Sequence, residues 1–264
     1  MRIARILEKS GEVMYAAAQS DGRLLRINGN IFGQYSVDEN CEVEASQWLS
    51  PVQPLTYLCV AANYKLHIEE CDVEEPPLPK IFMKNSGCVA GHKQPIRIPS
   101  ICDDEVDFEG ELAAVIGKSC CNVSPEEAYG YILGYTASND VSARIWQLEK
   151  GDGQWCRGKS FDTFGPLGPV LVTPDEIENP DDLAIKTILN GEVVQESRTS
   201  YMIRTIGELI SFLSQDTTLL PGTVVLTGTP EGVGWAREPK LLLKKGDTVS
   251  VEIENVGVLE NPVE

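Results

Sequence analysis

Short runs of apolar residues, separated by turn-forming residues, recur along most of this chain. Near the N-terminus, runs at residues 2–7 and 24–30 flank the turn signal at residues 20–23, and this spacing predicts a small β-meander. Three later segments also have strand patterns, because two of them are apolar or β-branched and one alternates with a period of two: residues 112–117, 223–227 and 248–253.

Two helix starts are recognisable by their capping sequences. The segments 124–127 and 205–208 each begin with a hydroxyl residue and end with Glu three positions later, which predicts an N-cap and a capping box. Strands outnumber these helices, and the strand-helix alternation of a parallel doubly wound fold is missing. The pattern therefore favours a β-rich α+β fold, with a small N-terminal β subdomain at residues 1–54 and a catalytic domain at residues 55–264.

The charge of the chain is more unusual than its other composition. The 264 residues include 22 Lys and Arg against 40 Asp and Glu, which gives a formal net charge of −18. Such a charge repels nucleic acid and anionic membranes, so neither is an expected partner. The polar N-terminus contains no leader-like segment, and no run of 18 apolar residues occurs. The sequence thus predicts a soluble, cytoplasmic protein.

The eight cysteines do not have the spacing of a zinc site. They include no C-x-x-C pair, and the chain contains only two histidines, whereas zinc sites of the usual type combine closely spaced Cys and His. We therefore expect reduced and mostly buried thiols.

Two glutamates in the segment 106–112 are candidates for metal binding. If this segment is extended, Glu109 and Glu111 point to the same face. Paired carboxylates repel each other unless a cation lies between them, and Mg²⁺, Mn²⁺ or Ca²⁺ would fit their oxygen atoms. The alternative is a solvated strand face, the common environment of charged residues. A third carboxylate, Asp140, follows the apolar and aromatic run 130–139, but its distance along the chain does not establish proximity.

A second candidate group is the pair formed by His67 and Glu70. At a spacing of three residues they share one side of a helical turn, where the carboxylate orients the imidazole and raises its basicity. The alternative is an ordinary surface pair. Since His92 has the context of an exposed loop residue, His67 is the better candidate for a general base.

Several polar side chains are candidate receptors for an anionic substrate. In so acidic a protein, cations set beside apolar residues and Gly fit this role, although salt bridges are a common alternative: Lys84, Arg144 with Gln147, and Lys159. The Gly-rich turn at residues 227–234 lacks the Gly-Lys-Ser/Thr ending of a phosphate loop, which argues against nucleotide binding. Its Thr hydroxyls and backbone N–H groups are suited to a small carboxylate.

As a set, these residues resemble the fumarylacetoacetate hydrolase family. Seven segments match the family in order and span about residues 55–264: residues 63–70, 82–84, 106–118, 134–147, 159–169, 190–192 and 227–234. The segments 154–159 and 243–247 are most similar to the branch called fumarylacetoacetate hydrolase domain-containing protein 2.

The resemblance implies a fold, an assembly and a set of residue roles. The fold is a mixed β-sheet roll or sandwich with flanking helices, and the assembly is a homodimer. Three carboxylates would be the protein ligands of Mg²⁺ or Mn²⁺: Glu109, Glu111 and Asp140. The catalytic residues would be the dyad on a mobile lid and a lysine that stabilises an oxyanion: His67, Glu70 and Lys159. Four residues would line the substrate site: Lys84, Arg144, Gln147 and Thr229.

The resemblance also implies a choice of reactions on a small 2-oxo acid. The leading expectation is hydrolysis of a C–C bond in an acylpyruvate, through an enolate that the metal stabilises. The alternative is enol-keto tautomerisation of oxaloacetate, or a related isomerisation or decarboxylation. A catalytically silent 2-oxo acid receptor is a further alternative, because Leu66 and Ile145 stand where the family often has Asp. The second difference removes a possible partner of Arg144.

Overall fold

A computed structural model of the protein describes residues 1–102, 105–150 and 152–264, and β-strands dominate this part of the chain. The strands are β1 (Arg2–Glu8), β2 (Val13–Ala18), β3 (Leu24–Gly29), β4 (Tyr35–Val43), β5 (Ala45–Leu49), β6 (Thr56–Ala61), β7 (Lys80–Lys84), β8 (Val89–Ala90), β9 (Val106–Asp107), β10 (Gly110–Ile116), β11 (Ile132–Asn139), β12 (Ser142–Ala143), β13 (Gly165–Val172), β14 (Ala184–Leu189), β15 (Glu192–Arg198), β16 (Thr223–Leu226), β17 (Thr248–Ile253) and β18 (Gly257–Pro262). The α-helices are α1 (Lys65–Glu70), α2 (Pro125–Ala128), α3 (Arg144–Leu148), α4 (Trp155–Gly158) and α5 (Ile206–Leu213).

Twelve of these strands form one large mixed sheet. Its path is β4-β3-β2-β1-β13-β11-β10-β16-β6-β7, while β5 pairs with β1 and β8 pairs with β13. The strands β10 and β11 are antiparallel, whereas β16 and β6 are parallel. Two strands predicted from apolar runs, β10 and β16, are neighbours in this sheet, so the most hydrophobic segments lie at its centre.

The central strand β10 is buried on both faces. Ala113 and Val115 belong to the core on one side of the sheet, whereas Leu112 and Ala114 belong to the core on the other side. Successive side chains of a strand point to opposite faces, so a strand between two cores has an unbroken apolar run. This explains why residues 112–117 show no alternation in the sequence.

A smaller sheet covers part of the large one. Its four strands have the order β15-β14-β17-β18. Val251 and Leu259 from this sheet share a core with Leu112 and Tyr135 from the large sheet. The fold is thus a β-rich sandwich with a few short helices, which confirms the predicted fold class.

The N-terminal strands form the predicted meander but continue the large sheet. Ile3 pairs with Ala17, and Ala17 pairs with Leu25. At the other edge of β1, Ile3 pairs with Leu171 of β13. Because the backbone ladder crosses from the N-terminal strands into the rest of the sheet, the subdomain boundary at residue 54 stays a prediction.

Both predicted capping boxes are present. The hydroxyl of Ser124 accepts a hydrogen bond from the N–H of Glu127 at the start of α2, and the hydroxyl of Thr205 accepts one from the N–H of Glu208 at the start of α5. In each case the Glu carboxylate accepts a hydrogen bond from the N-cap N–H. These bonds satisfy N–H groups that have no partner within the helix.

We expect Thr205→Ala to lower the free energy of unfolding by about 1 kcal/mol, because the N-cap acceptor is lost while the buried face of α5 is unchanged. Chemical denaturation measures this effect. The matched control is Thr205→Ser, which keeps the hydroxyl and most of the stability. Equal stability of the alanine variant and the wild type would contradict the role of the cap.

Two expectations from the sequence need correction. All eight cysteines are free, but only half are buried, and Cys71, Cys121 and Cys156 are exposed. His92 is half-buried rather than an exposed loop residue, because its Nδ1 accepts a hydrogen bond from the N–H of Glu260 over 3.1 Å.

Among the described helices, none is long and apolar enough to cross a bilayer.

Candidate active site

Three carboxylates converge where β10 begins and β11 ends. Glu109 and Glu111 lie on either side of Gly110, which pairs with Asn139 of β11. Asp140 follows Asn139, and its N–H donates a hydrogen bond to the carbonyl of Glu109 over 2.8 Å. Each carboxylate offers an oxygen atom, and these atoms lie within 4.8 Å of one another. The antiparallel register therefore brings Asp140 to the two glutamates.

The carboxylates are buried among cations. Glu109, Glu111 and Asp140 are 5%, 1% and 0% exposed, respectively. The Nζ of Lys159 donates hydrogen bonds to Glu109 Oε2 over 2.8 Å, to Asp140 Oδ2 over 2.8 Å and to Ser142 Oγ over 2.7 Å. Lys84 pairs with the other oxygen of Asp140. The solvated strand face considered for the glutamates is excluded, because burial removes water from all three carboxylates.

The two glutamates have opposite pKa shifts. Burial by itself raises the pKa of Glu109, but Lys159 and Arg144 outweigh it and hold this pKa well below its usual value. Burial also raises the pKa of Glu111, and the negative charges of Asp140 and Glu109 raise it further. Glu109 is therefore ionised at neutral pH, whereas the environment of Glu111 favours its neutral form when no further cation is present.

This donor set fits a hard divalent cation. Only carboxylate oxygens converge, and Mg²⁺, Mn²⁺ and Ca²⁺ prefer oxygen ligands. Burial first, and then the negative charges of Asp140 and Glu109, raise the pKa of Glu111 despite the nearby Lys159. A dication would allow Glu111 to ionise, so the residues fit the metal that the resemblance implies.

A neighbouring ion-pair network centres on Arg144 at the start of α3. Its Nε and Nη2 donate hydrogen bonds to Asp107 Oδ2 over 2.9 and 2.7 Å, and its Nη1 donates to Gln147 Oε1 over 3.0 Å. Nη1 also lies 2.6 Å from Glu109 Oε1. Asp107 was not among the candidates from the sequence, although its spacing of two residues from Glu109 was a usable signal. Asp107 supplies the partner that Ile145 does not provide.

The His67 and Glu70 pair forms on α1 as predicted. The Nδ1 of His67 lies 2.8 Å from Glu70 Oε1. The second oxygen, Glu70 Oε2, accepts a hydrogen bond from the N–H of Gly232 over 2.8 Å. Glu70 therefore connects α1 to the Gly-rich turn. Leu66, which stands where the family often has Asp, is 51% exposed, and the contact between His67 and Glu70 forms without an Asp at that position.

The two histidines have opposite pKa shifts. Burial by itself lowers the pKa of His67, but its contacts with Cys71 and Glu70 outweigh burial and raise it to about 9. Burial lowers the pKa of His92, and Lys93 lowers it further. Since the folded-state pKa of His67 exceeds the usual value of about 6.5, its stabilising contribution is complete below that pH and is lost as the pH rises through about 9.

We expect NMR titration of the metal-free protein to give one histidine pKa near 9 and another below its usual value. Mg²⁺ should lower the pKa of His67 by charge repulsion and leave that of His92 in place. Loss of the low-pKa resonance in His92→Gln would assign the signals. Two resonances that titrate together and ignore Mg²⁺ would contradict this electrostatic picture.

The Gly-rich turn after β16 binds the protein's own carboxylates. The N–H of Gly228 donates to Glu111 Oε2 over 2.6 Å, and the N–H groups of Gly234 and Trp235 donate to Asp107 over 2.9 Å each. Gly228 has a φ of +99°, and a Cβ there would lie 2.8 Å from the Cβ of Asn63. The expectation that these N–H groups receive a substrate carboxylate is therefore corrected.

Thr229 in the same turn is held by a residue that the sequence analysis missed. Its hydroxyl donates to the carbonyl of Gly110 over 3.0 Å. The side-chain amide of Gln195 on β15 donates to Thr229 Oγ1 over 2.9 Å and accepts from the N–H of Gly110 over 2.9 Å. Gln195 thus joins the turn to β10. No pattern in the strand sequence of β15 indicated this role.

One cavity of about 290 Å³ brings most of these groups together. The polar residues that line it are His67, Glu70, Cys71, Lys80, Glu109, Glu111, Arg144, Gln147, Lys159 and Thr229. Apolar residues form another part of its wall, among them Val60, Phe82, Leu148, Trp155 and Val233. Lys84 is 3% exposed and contacts Asp140 behind this wall, which places it as a support of the carboxylates rather than a contact for substrate.

Comparison with known sequences agrees with the proposed relationship. A sequence model described as fumarylacetoacetate (FAA) hydrolase C-terminal matches residues 56–264. The fumarylacetoacetate hydrolase domain-containing protein 2 homolog of Dictyostelium discoideum is 42% identical over 250 residues, which cover 91% of this chain and 80% of that protein. The similarity to this branch that the sequence predicted is confirmed.

Two further relatives carry names that describe a reaction. Oxaloacetate tautomerase fahd2, mitochondrial, from Xenopus laevis is 44% identical over 232 residues, which cover 86% of this chain and 72% of that protein. The crystal structure of 2-hydroxyhepta-2,4-diene-1,7-dioate isomerase from Mycobacterium marinum superposes with a TM-score of 0.84 and 40% identity, and covers 100% of this chain and 98% of that chain. The cytoplasmic location expected from the sequence stays a prediction.

Proposed function

Because the chain belongs to the fumarylacetoacetate hydrolase family of enzymes, we propose that it interconverts the enol and keto forms of oxaloacetate. The observation that carries this proposal is the meeting of the His67 and Glu70 pair with the buried carboxylates in one small cavity. The name of the Xenopus laevis relative supports the choice of substrate. The acylpyruvate hydrolysis that led the sequence analysis becomes the second candidate.

The proposed metal site consists of Glu109, Glu111 and Asp140, which would hold Mg²⁺ or Mn²⁺, with Ca²⁺ compatible with the same oxygen atoms. When bound, the ion supplies positive charge that anchors a 2-oxo acid and stabilises negative charge on its oxygen atoms. Lys84 and Lys159 hold the carboxylates in place before the ion arrives.

The proton transfer is assigned to His67. Its Nδ1–H donates to Glu70, so Nε2 is the nitrogen that exchanges a proton with the substrate. In the direction from keto to enol, the neutral imidazole takes the proton at Nε2 from the carbon next to the keto group and returns it to the oxygen. A dication at the nearby carboxylates would lower the pKa of His67 from about 9 and so favour the neutral form that this step requires. The reaction moves one proton within the substrate, and no water or further reactant is consumed. Glu70 stabilises the imidazolium that forms between the two transfers.

Arg144 and Lys159 have different parts in this proposal. The contacts of Arg144 within the described residues engage four of its five N–H donors, so one donor is left for a substrate carboxylate. The three N–H donors of Lys159 are all engaged by Glu109, Asp140 and Ser142. A role for Lys159 on the oxyanion of the substrate requires that one of these bonds be released. A cation that attracts the carboxylates would favour this release.

Hydrolysis of an acylpyruvate is the second candidate, because the cavity has an apolar side. Phe82 and Trp155 pack with their ring centroids 5.7 Å apart, and Val60 lies on the same wall. Oxaloacetate has no apolar tail for this wall, whereas the acyl group of a longer substrate would be buried there.

A product-resolved assay distinguishes the two reactions. Enol oxaloacetate and a set of acylpyruvates are each incubated with the protein and Mg²⁺ or Mn²⁺, and with an excess of chelator as control. We expect rapid loss of the oxaloacetate enol, slow or no acylpyruvate cleavage, and loss of activity with chelator. Cleavage without any acceleration of tautomerisation would transfer the assignment to the hydrolase. Turnover that is insensitive to complete metal removal would refute the metal-dependent mechanism.

A further inference from the structure

A second group of potential metal ligands lies at the end of α1. His67, Glu70 and Cys71 each offer one ligand atom, and these atoms lie within 4.8 Å of one another. His67 Nδ1 is 2.8 Å from Glu70 Oε1 and 3.9 Å from Cys71 Sγ. All three residues line the cavity that Glu109 and Glu111 also line. This group differs from the carboxylate cluster, because it combines nitrogen, oxygen and sulfur.

The distances are close to those of a tetrahedral zinc site. Zinc binds nitrogen at about 2.0 Å and sulfur at about 2.3 Å, so two ligand atoms of one tetrahedral ion lie roughly 3.3 to 3.7 Å apart. The observed 2.8 and 3.9 Å lie on either side of this range. To surround one ion, His67 Nδ1 and Glu70 Oε1 must move apart and Cys71 Sγ must approach, and Cys71 is exposed.

The surroundings favour binding at this place. Glu70 Oε2 is fixed by the N–H of Gly232 over 2.8 Å, which orients the carboxylate as outer contacts of metal ligands do. Cys71 is exposed, and the side chain of His67 is 14% exposed. An ion therefore has a path from solvent, and three protein ligands leave a fourth position for water.

We propose that His67, Glu70 and Cys71 form an inhibitory site for Zn²⁺ or another ion of similar softness. Thiolate and imidazole ligands favour such ions, whereas the oxygen-only cluster favours Mg²⁺ and Mn²⁺. The ion replaces the thiol proton of Cys71 and the Nδ1 proton of His67, and both protons pass to solvent. An imidazole bound through Nδ1 keeps its remaining proton on Nε2, so it has no lone pair for a substrate proton.

Cobalt reports on this site without any assay of activity. Co²⁺ is titrated into the protein in the presence of saturating Mg²⁺, and thiolate-to-cobalt absorption is recorded. We expect this absorption in the wild type and in Cys121→Ser, which removes an exposed thiol elsewhere. Cys71→Ser should abolish it, and Zn²⁺ should displace the cobalt. Glu111→Gln should retain it, because that variant alters the carboxylate cluster alone.

Inhibition is measured separately, since its interpretation depends on the proposed role of His67. The Zn²⁺ concentration for half-inhibition should rise at least about tenfold in Cys71→Ser, given that even outer contacts of metal ligands change affinity by about 10–100-fold. His67→Gln provides a second test of cobalt affinity if the serine variant fails to fold. Thiolate-to-cobalt absorption that persists in Cys71→Ser, or is absent from the wild type, would overturn the site. Absorption without inhibition would overturn its inhibitory role.

Discussion

Glu111→Gln is expected to weaken divalent-metal binding at least about 100-fold and to leave the stability of the metal-free protein nearly unchanged. In the metal-free protein, burial and two neighbouring carboxylates raise the pKa of Glu111, which favours its neutral form. Glutamine resembles this neutral form, and its carbonyl can still accept the hydrogen bond from the N–H of Gly228. Isothermal titration with Mn²⁺ and denaturation in chelator measure the two quantities.

The matched variant Glu109→Gln should lose both affinity for the divalent metal and stability of the metal-free protein. Glu109 is ionised and contacts Lys159 and Arg144, so its neutralisation removes one carboxylate from each of two buried cations, which keep only Asp140 and Asp107 as anionic partners. Loss of one member of a buried ion pair costs about 3–5 kcal/mol. The low pKa of Glu109 also means that its stabilisation is present above the usual carboxyl pKa and is lost as the pH falls. Equal stability losses in the two variants would contradict the opposite ionisation of these glutamates.

His67→Gln is expected to lower kcat by about 10²–10⁴-fold, the range for loss of a general acid-base group, and not to weaken Mn²⁺ binding. The physical reason is that proton transfer is assigned to this imidazole on α1, whereas the proposed metal ligands lie in β10 and in the segments that flank β10 and β11. Steady-state tautomerisation kinetics and Mn²⁺ titration check the two parts.

A pair of substitutions on α1 controls for effects on the helix. Glu70→Gln removes the negative charge beside His67 and should lower kcat, because an amide stabilises an imidazolium less well. Glu69→Gln makes the same change on the exposed side of α1 and should leave kcat unchanged. If His67→Gln has a kcat near that of the wild type, the pair of His67 and Glu70 does not take part in the mechanism. Equal losses of kcat in Glu70→Gln and Glu69→Gln would lead to the same conclusion for Glu70.

The local sequence pattern predicted the relative position of Glu109 and Glu111, but not their ionisation states. The spacing of Glu109 and Glu111 placed them on one face, since alternate residues of an extended segment share a face. The ionisation states of the two residues did not follow from this spacing. Lys159 and Arg144 approach Glu109, whereas Glu111 faces other carboxylates, and both environments depend on chain segments that are remote in sequence.

The residue types of the Gly-rich turn at residues 227–234 predicted which kind of group it binds, but not which molecule supplies that group. The sequence predicted that its backbone N–H groups bind a carboxylate, and in the structure they do donate hydrogen bonds to carboxylates. The carboxylates that bind them belong to Asp107, Glu111 and Glu70. A local pattern can indicate what a turn binds, but it cannot distinguish a substrate from a side chain brought there by folding.

The sequence by itself determined the β-rich fold class, the capping boxes of α2 and α5, the pairing of His67 with Glu70 and the family resemblance. Each depends on neighbours within a few residues or on the order of motifs. Tertiary structure decided the approach of Asp140 to Glu109, the use of Lys84 as a support, and the roles of Asp107 and Gln195. These features depend on strand register and on contacts between distant segments, because burial and charge act through space rather than along the chain.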